Sequence, residues 1–228
     1  AGRRGRRGGR VTAARARRAL ADTVRWLMAR GLTAGTSGNV SVRAGAGLLI
    51  TPTGVPCEAA GAATMVEMTL DGQARGPLAP SSEWRIHCDI YRRRPEVGAV
   101  VHTHSTYATA YASLRRPLPA FHYMVAKTGG AELRCARYAT YGTAALSRHA
   151  LAALAGRRAC LLANHGVVAL GADLAGARRL AEEIEALAAQ YAAARAMGRP
   201  VILPAREMRA VAAKFARYGQ PARRTPGH

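Results

Sequence analysis

The sequence predicts one α/β domain, and three observations predict it. Short runs of Val, Leu and Ile alternate along the chain with longer stretches whose apolar residues recur at helical spacing. The 228 residues suffice for one domain with a substantial core, whereas two would be small and crowded. No internal repeat and no linker-like composition divides residues 11–220, which leaves an Arg/Gly-rich tail at 1–10 and a short tail at 221–228.

The elements follow in order. Val11, Ala14, Leu20, Val24, Leu27 and Met28 approximate one face of a helix over Val11–Arg30, with Gly31 placed to end it. Gly35–Asn39 reads as a loop, Val40–Val42 and Gly47–Thr51 as strands, and Pro52-Thr53-Gly54 as a turn. Met65–Leu70 is a further strand candidate, and Asp71-Gly72 a good hairpin turn. Pro80-Ser81-Ser82-Glu83 has the pattern of a helix start, a Ser cap followed by an acid in the first turn. That helix carries Trp84, Ile86, Ile90 and Tyr91 and stops before Pro95. Val97–His102 is a buried strand, and Thr106–Leu114 a helix closed by Arg115-Arg116-Pro117. After a helix at Ser147–Leu154, Cys160–Ala163 and Val167–Leu170 read as strands around Asn164-His165-Gly166. Asp173 caps a long helix with Leu174, Leu180, Ile184, Leu187 and Tyr191 on one side, and Pro204 starts a last helix that leads to Tyr218.

Composition narrows the class. A core of 49% hydrophobic but only 5% aromatic residues is built from Ala, Leu and Val. Four scattered cysteines without a C-x-x-C pair, and no secretory leader, read as reduced thiols of a cytoplasmic protein. No apolar run approaches the roughly 20 residues that cross a bilayer. The formal charge of +21 raises nucleic-acid binding as a reading. Arg and Ala dominate everywhere, however, as expected of a GC-rich coding sequence. A specific polyanion role rests on the Arg-rich tail alone, for which a solvated tail is the plainer reading.

The residues that carry chemistry cluster at element boundaries. His102 and His104 end a strand and, two apart, point to one face, which makes half of a transition-metal site. A zinc-type site needs further donors. His165 at the turn between two strands and Glu83 at a helix start supply them, giving three His and one carboxylate. His87, His122 and His149 read as structural. The loops Thr36–Asn39, Thr51–Gly54 and Pro80–Ser82 offer hydroxyls and free N–H groups suited to a phosphate, but none matches a Walker or dinucleotide fingerprint. Only Lys127 and Lys214 are lysines, and Lys127 adjoins a Gly-rich stretch that reads as flexible, so a Schiff-base mechanism is poorly supported.

Five motifs in register, Gly38-Asn39-Val40-Ser41, Ile50–Gly54, Pro80–Glu83, His102–His104 and Asn164–Gly166, resemble the class II aldolase/adducin family over residues 11–220. Within it the stretches SSEWRIH, RRPEVGAVVHTHSTYATAYASLRRPLPAFHYMV, CARYATYGT and KFARYG are most similar to its L-fuculose-1-phosphate aldolase branch. The resemblance implies a three-layer α/β sandwich around a mixed, largely antiparallel sheet. It also implies a cyclic homotetramer with sites between subunits. It implies Zn²⁺ on Glu83, His102, His104 and His165, with Glu83 doubling as the base. Phosphate would lie among Ser37, Gly38, Asn39, Thr53, Gly54, Ser81 and Ser82. Tyr123 would act from the neighbouring subunit in proton transfer, Tyr218 would close the site, and Tyr141 would sit in the aldehyde pocket, where the branch has Phe. The implied reaction is reversible cleavage of a ketose 1-phosphate, L-fuculose 1-phosphate first among them, to dihydroxyacetone phosphate and a short aldehyde. Related activities in the family are pentulose-5-phosphate 4-epimerases, which place Asp at the carboxylate position, and methylthioribulose-phosphate dehydratases. An adducin-like structural module is the non-enzymatic alternative. Thr103 stands where Asn is usual, and Asn164 where Gln or His is usual.

Overall fold

The computed structural model describes residues 13–215 and 217; the two expected tails and Tyr218 lie outside the described residues. The chain begins with α1 (Ala13–Ala29), and Gly31 ends it at φ 66° as expected. Strands β1 (Asn39–Ala44), β2 (Gly47–Ile50), β3 (Val66–Thr69) and β4 (Ala74–Arg75) follow, then α2 (Trp84–Arg93) and β5 (Ala99–Thr103). Next come α3 (Thr106–Ala112), β6 (Cys135–Ala136), α4 (Ala144–Ala153), β7 (Ala159–Leu162), β8 (Gly166–Gly171), α5 (Leu174–Met197) and α6 (Ala205–Phe215). Short 3₁₀ helices occupy Cys57–Ala59, Ala62–Thr64 and Tyr123–Thr128.

The eight strands form one sheet in the order β4-β3-β2-β1-β5-β8-β7-β6, antiparallel throughout except where β6 runs parallel to β7. The expected mixed, largely antiparallel sheet is therefore what forms. Period-two alternation splits the side chains into two cores. Ala99 and Val101 of β5 pack with Leu20 and Leu27 of α1, Ala108 of α3 and Ile184 of α5. Val100, between them, packs with Ile86 and Ile90 of α2 and Leu146 of α4. The sheet is thus covered on both faces, and β5 and β8, buried along their whole length, read as unbroken Val-rich runs for that reason.

Some local expectations change. The Ser cap of α2 does not form: Glu83 itself is the N-cap residue, and its backbone N–H donates to Ser81 Oγ at 3.3 Å. Its carboxylate is thereby free to leave the helix and face the sheet. The helix after residue 143 starts earlier than Ser147, because Thr143 Oγ1 accepts from Leu146 N–H and caps it. Lys127 is not on a flexible segment but in the 3₁₀ helix, paired with Glu183 at 2.9 Å. Asp173 caps α5 as expected, accepting from Gly176 N–H at 2.6 Å.

Candidate active site

The adjacent central strands β1, β5 and β8 all present the same end to the N-terminus of α2. Asn39 at the start of β1 pairs with His102 near the end of β5, and Thr103 pairs with Val167 at the start of β8. His102 lies two residues after Val100 and so faces the α2 layer, while Thr103 is turned to the opposite layer. Thr103, where the family pattern has Asn, is therefore directed away from the cavity; its hydroxyl is buried without a hydrogen-bond partner.

Two glycines make the approach possible. A Cβ at Gly166 would lie 2.3 Å from the Thr103 carbonyl oxygen and 3.0 Å from His104 Cδ2. A Cβ at Gly38, whose φ is 72°, would lie 2.8 Å from the His102 carbonyl oxygen. Before Gly166, Asn164 holds φ 52°, a left-handed conformation that Asn accepts more readily than most residues. Its side chain accepts from Arg115 Nε at 2.5 Å, which braces the turn that carries His165.

Four side chains converge here. Glu83 Oε2 is 2.9 Å from His102 Nε2, and Glu83 Oε1 is 3.3 Å from His165 Nε2. His102 Nε2 and His104 Nε2 are 2.9 Å apart, and one potential ligand atom from each of the four residues lies within 4.8 Å of all the others. The three imidazoles stand edge to face, with centroids 4.8 to 4.9 Å apart. His102 Nδ1 is 2.8 Å from the Val167 carbonyl, which can only accept, so in the neutral ring the proton sits on Nδ1 and the Nε2 lone pair faces the cluster. Glu83 Oε1 is buried and, among the described residues, has no hydrogen-bond partner. Two imidazole Nε2 atoms 2.9 Å apart, with a buried carboxylate between two of the three rings, form an arrangement that a cation resolves, and the donor set suits zinc. These residues fit a metal.

Burial and the neighbouring charges shift the pKa values of Glu83, His102 and His104. Burial alone would push the Glu83 carboxyl up, but the His102 charge and hydrogen bond, with help from His165, hold it well below the usual carboxylate range. The His102 imidazole is desolvated, yet the Glu83 carboxylate holds its pKa above the ordinary value. Burial, then repulsion by the other two rings, pushes His104 down to about 4.

Glu83, His104 and His165 line the floor of a cavity of about 380 Å³, and His102, which touches Glu83, does not line it. Thr36, Ser37, Gly38 and Asn39 line one side, Pro52, Thr53, Ser81 and Ser82 another, and Tyr138, Ala139 and Tyr141 the rim. Six of the seven residues expected at a phosphate thus share the cavity; Gly54 does not line it but turns the chain beside Thr53 at φ 68°. The Asn39 side chain is committed elsewhere, donating to Glu83 Oε2 at 3.1 Å, so an anion would meet its main chain only. Tyr123 is not in this cavity. It lines a different one with Met124, Lys127, Val211 and Phe215, its ring stacked on Phe215. Tyr138 was not singled out by the sequence, whose only trace of it is the Tyr-x-x-Tyr spacing to Tyr141.

Comparison with known proteins bears on this geometry. Residues 18–192 match the family model for the class II aldolase and adducin N-terminal domain. The chain is 53% identical over 206 residues to a 5-methylthioribulose-1-phosphate/5-deoxyribulose-1-phosphate aldolase of Rhodospirillum rubrum, covering 90% of this chain and 93% of that one. It is 45% identical over 203 residues to an L-fuculose phosphate aldolase of Escherichia coli, covering 89% and 94%. A solved structure of an L-fuculose 1-phosphate aldolase superposes with a TM-score of 0.87 at 40% identity, covering 92% of this chain and all of that one.

Proposed function

This chain belongs to the class II aldolase/adducin family, and from that premise we propose that it is a zinc-dependent aldolase. The reaction is cleavage of a ketose 1-phosphate into dihydroxyacetone phosphate and a short aldehyde. The observation that carries the reading is the Glu83, His102, His104 and His165 cluster at the floor of a polar cavity. An adducin-like module without chemistry has no use for three convergent imidazoles and a buried orphaned carboxylate oxygen.

The four residues would hold the ion, which when bound supplies a Lewis acid for the negative charge left beside the carbonyl as the C–C bond breaks. The chain's own groups do the rest. Glu83 accepts a proton as the carboxylate in the synthetic direction and, as the carboxylic acid, returns it in cleavage to the carbon that becomes the hydroxymethyl end of dihydroxyacetone phosphate. Ser37, Thr53, Ser81 and Ser82 present hydroxyls, and Gly38 an unshielded backbone, to the phosphate. Among the described residues no Lys or Arg lines this cavity, so neutral donors would meet the phosphate while the general positive field of the protein draws it in. Tyr123 is the proton partner of the aldehyde oxygen. It is supplied by a neighbouring copy in a homotetramer, which accounts for its absence from the cavity of its own chain. Tyr218 would close the site.

The substrate is a ketose 1-phosphate with a deoxygenated end. The Rhodospirillum rubrum relative, 53% identical, favours 5-deoxyribulose 1-phosphate or its 5-methylthio analogue. L-Fuculose 1-phosphate is the second reading, supported by the Escherichia coli relative and the solved structure. Retro-aldol assays on all three, coupled to detection of dihydroxyacetone phosphate with and without chelator, test both levels. No chelator-sensitive cleavage of any of them sinks the aldolase; preference for L-fuculose 1-phosphate reverses the substrate order.

A further inference from the structure

Behind Asn39 lies a run of buried polar side chains that neither the metal nor the phosphate reading uses. Asn39 Oδ1 is 2.5 Å from His87 Nε2, His87 Nδ1 is 2.6 Å from Ser41 Oγ, and Ser41 Oγ is 2.8 Å from the Tyr91 hydroxyl. Tyr91, Ser41, His87 and Asn39 are all buried, at 1%, 0%, 1% and 6% exposure, so no bulk water competes. The run links β1 to α2: Ser41 and Asn39 are two apart on the strand, and His87 and Tyr91 four apart on the helix. Arg43, two further along β1, lies over the Tyr91 ring and donates to the carbonyls of Tyr91, Arg94 and Val97. The far end of the run is fixed by that clamp.

The direction of every bond can be worked out from the carboxylate. Asn39 Nδ2 donates to Glu83 Oε2 at 3.1 Å, so the Asn39 carbonyl is the end turned toward His87. His87 Nε2 must then carry a proton. Burial pushes the His87 pKa down to about 3, so the ring is neutral, its Nδ1 must accept, and Ser41 must donate to it. The Ser41 oxygen is then free to accept from Tyr91. All four donors point toward Glu83.

We propose that His87, locked as its Nε2–H tautomer by Ser41 and Tyr91, is a positioning residue that fixes the Asn39 amide and, through it, the metal-facing carboxylate of Glu83. Without His87 the Asn39 amide can flip, presenting its oxygen to the Glu83 carboxylate and repelling it. The four bonds make the two Glu83 oxygens unequal, Oε2 held and Oε1 without a hydrogen-bond partner. The arrangement serves the same site as the proposed aldolase and rests on that reading for its purpose.

The test has two arms. In the unmutated, uniformly ¹⁵N-labelled protein, the His87 ring shifts should show a protonated Nε2 and a bare Nδ1, unchanged between about pH 5 and about pH 8. An Nδ1–H tautomer or an imidazolium there overturns the proposal, whether or not any variant folds. In the second arm, zinc affinity is measured by competition with a chromophoric chelator. His87→Leu should bind zinc about 10–100-fold more weakly, the cost typical of losing an outer partner of a metal ligand. His87→Gln, which keeps an N–H near the Nε2 position, should recover at least half of that loss on a logarithmic scale. A folded His87→Leu protein with the parent's zinc affinity, or a Gln variant as weak as Leu, overturns it. If the unmutated protein binds no zinc, the metal reading fails by itself, and the tautomer measurement still stands or falls on its own terms.

Discussion

Glu83, at the floor of the cavity, and His102, which touches it without lining the cavity, keep 5% and 2% of their surface exposed, whereas Tyr138 and Tyr141 on the rim keep 53% and 66%. The floor is set at strand ends: His102 hangs from β5, His104 follows its last residue and His165 sits in the turn before β8, with glycines clearing the space between them. The rim belongs to the segment between β6 and α4, where no ladder fixes the side chains. The two regions answer different questions. A reaction that needs a metal and a proton acceptor in fixed geometry is written into the floor, where small displacements are costly. In the proposed reaction the leaving aldehyde would be chosen at the rim, where the two tyrosines are mostly exposed.

The largest effect should come from removing a floor ligand. His104→Ala should lose zinc and retro-aldol activity together, measured by metal analysis and the coupled assay. A variant that keeps either one would remove His104 from the ligand set.

Next is Tyr123, which belongs to neither region of its own chain. Tyr123→Phe should retain zinc but lose about 10²–10⁴-fold in kcat, the usual worth of a positioned acid or base. Refolding a mixture of Tyr123→Phe and Glu83→Gln chains should restore part of the activity, because some sites then combine an intact Glu83 from one chain with an intact Tyr123 from the other. Mixtures as inactive as either parent would mean that the two residues serve the same site within one chain, or no site together.

Gly166→Ala tests whether the floor is rigid. The added Cβ meets the Thr103 carbonyl oxygen at 2.3 Å, which the strand cannot yield cheaply. A loss of about 1–3 kcal/mol in stability is expected from such overpacking. Zinc affinity should fall with it, since His104 is the next atom in the way. Unfolding curves and the chelator competition report the two effects, and a variant as stable and as tight as the parent would show the floor to be pliable.

How much of this could be read from the chain divides along the same line. His102 and His104 were legible because alternation on a strand is a fixed geometric rule, and His165 and Glu83 because each sits where an element begins or turns. The phosphate loops were legible as clusters of small hydroxyl residues. His87 was not, because a lone His on an amphipathic helix looks like any other; only its contacts with Asn39 and Ser41 of β1 set it apart. Glu83 was expected inside the first turn of α2 and is instead its N-cap, a one-residue shift that the backbone N–H bond to Ser81 decides. The strands β4 and β6, two residues each, are too short to carry any period. Tyr138 gave no signal because an exposed loop aromatic has neither pattern nor partner requirement.

The smallest effect should come from Tyr141 on the rim. Its side chain is mostly in solvent, so Tyr141→Phe removes a hydroxyl that water already satisfies. Zinc affinity should stay at the parent's value, and the ratio of kcat/KM for 5-deoxyribulose 1-phosphate over L-fuculose 1-phosphate should fall by no more than about tenfold, near the lower end of what a single pocket contact discriminates. The direction follows from the resemblance: the L-fuculose-1-phosphate aldolase branch has Phe at this position, so removing the hydroxyl moves the rim toward that branch. A loss of zinc, or a uniform collapse of activity on both substrates, would mean that the rim supports the floor after all. In that case the separation of reaction from specificity would have to be redrawn around Tyr138, whose ring lies against Arg115 and so connects the rim to the Asn164 turn that carries His165.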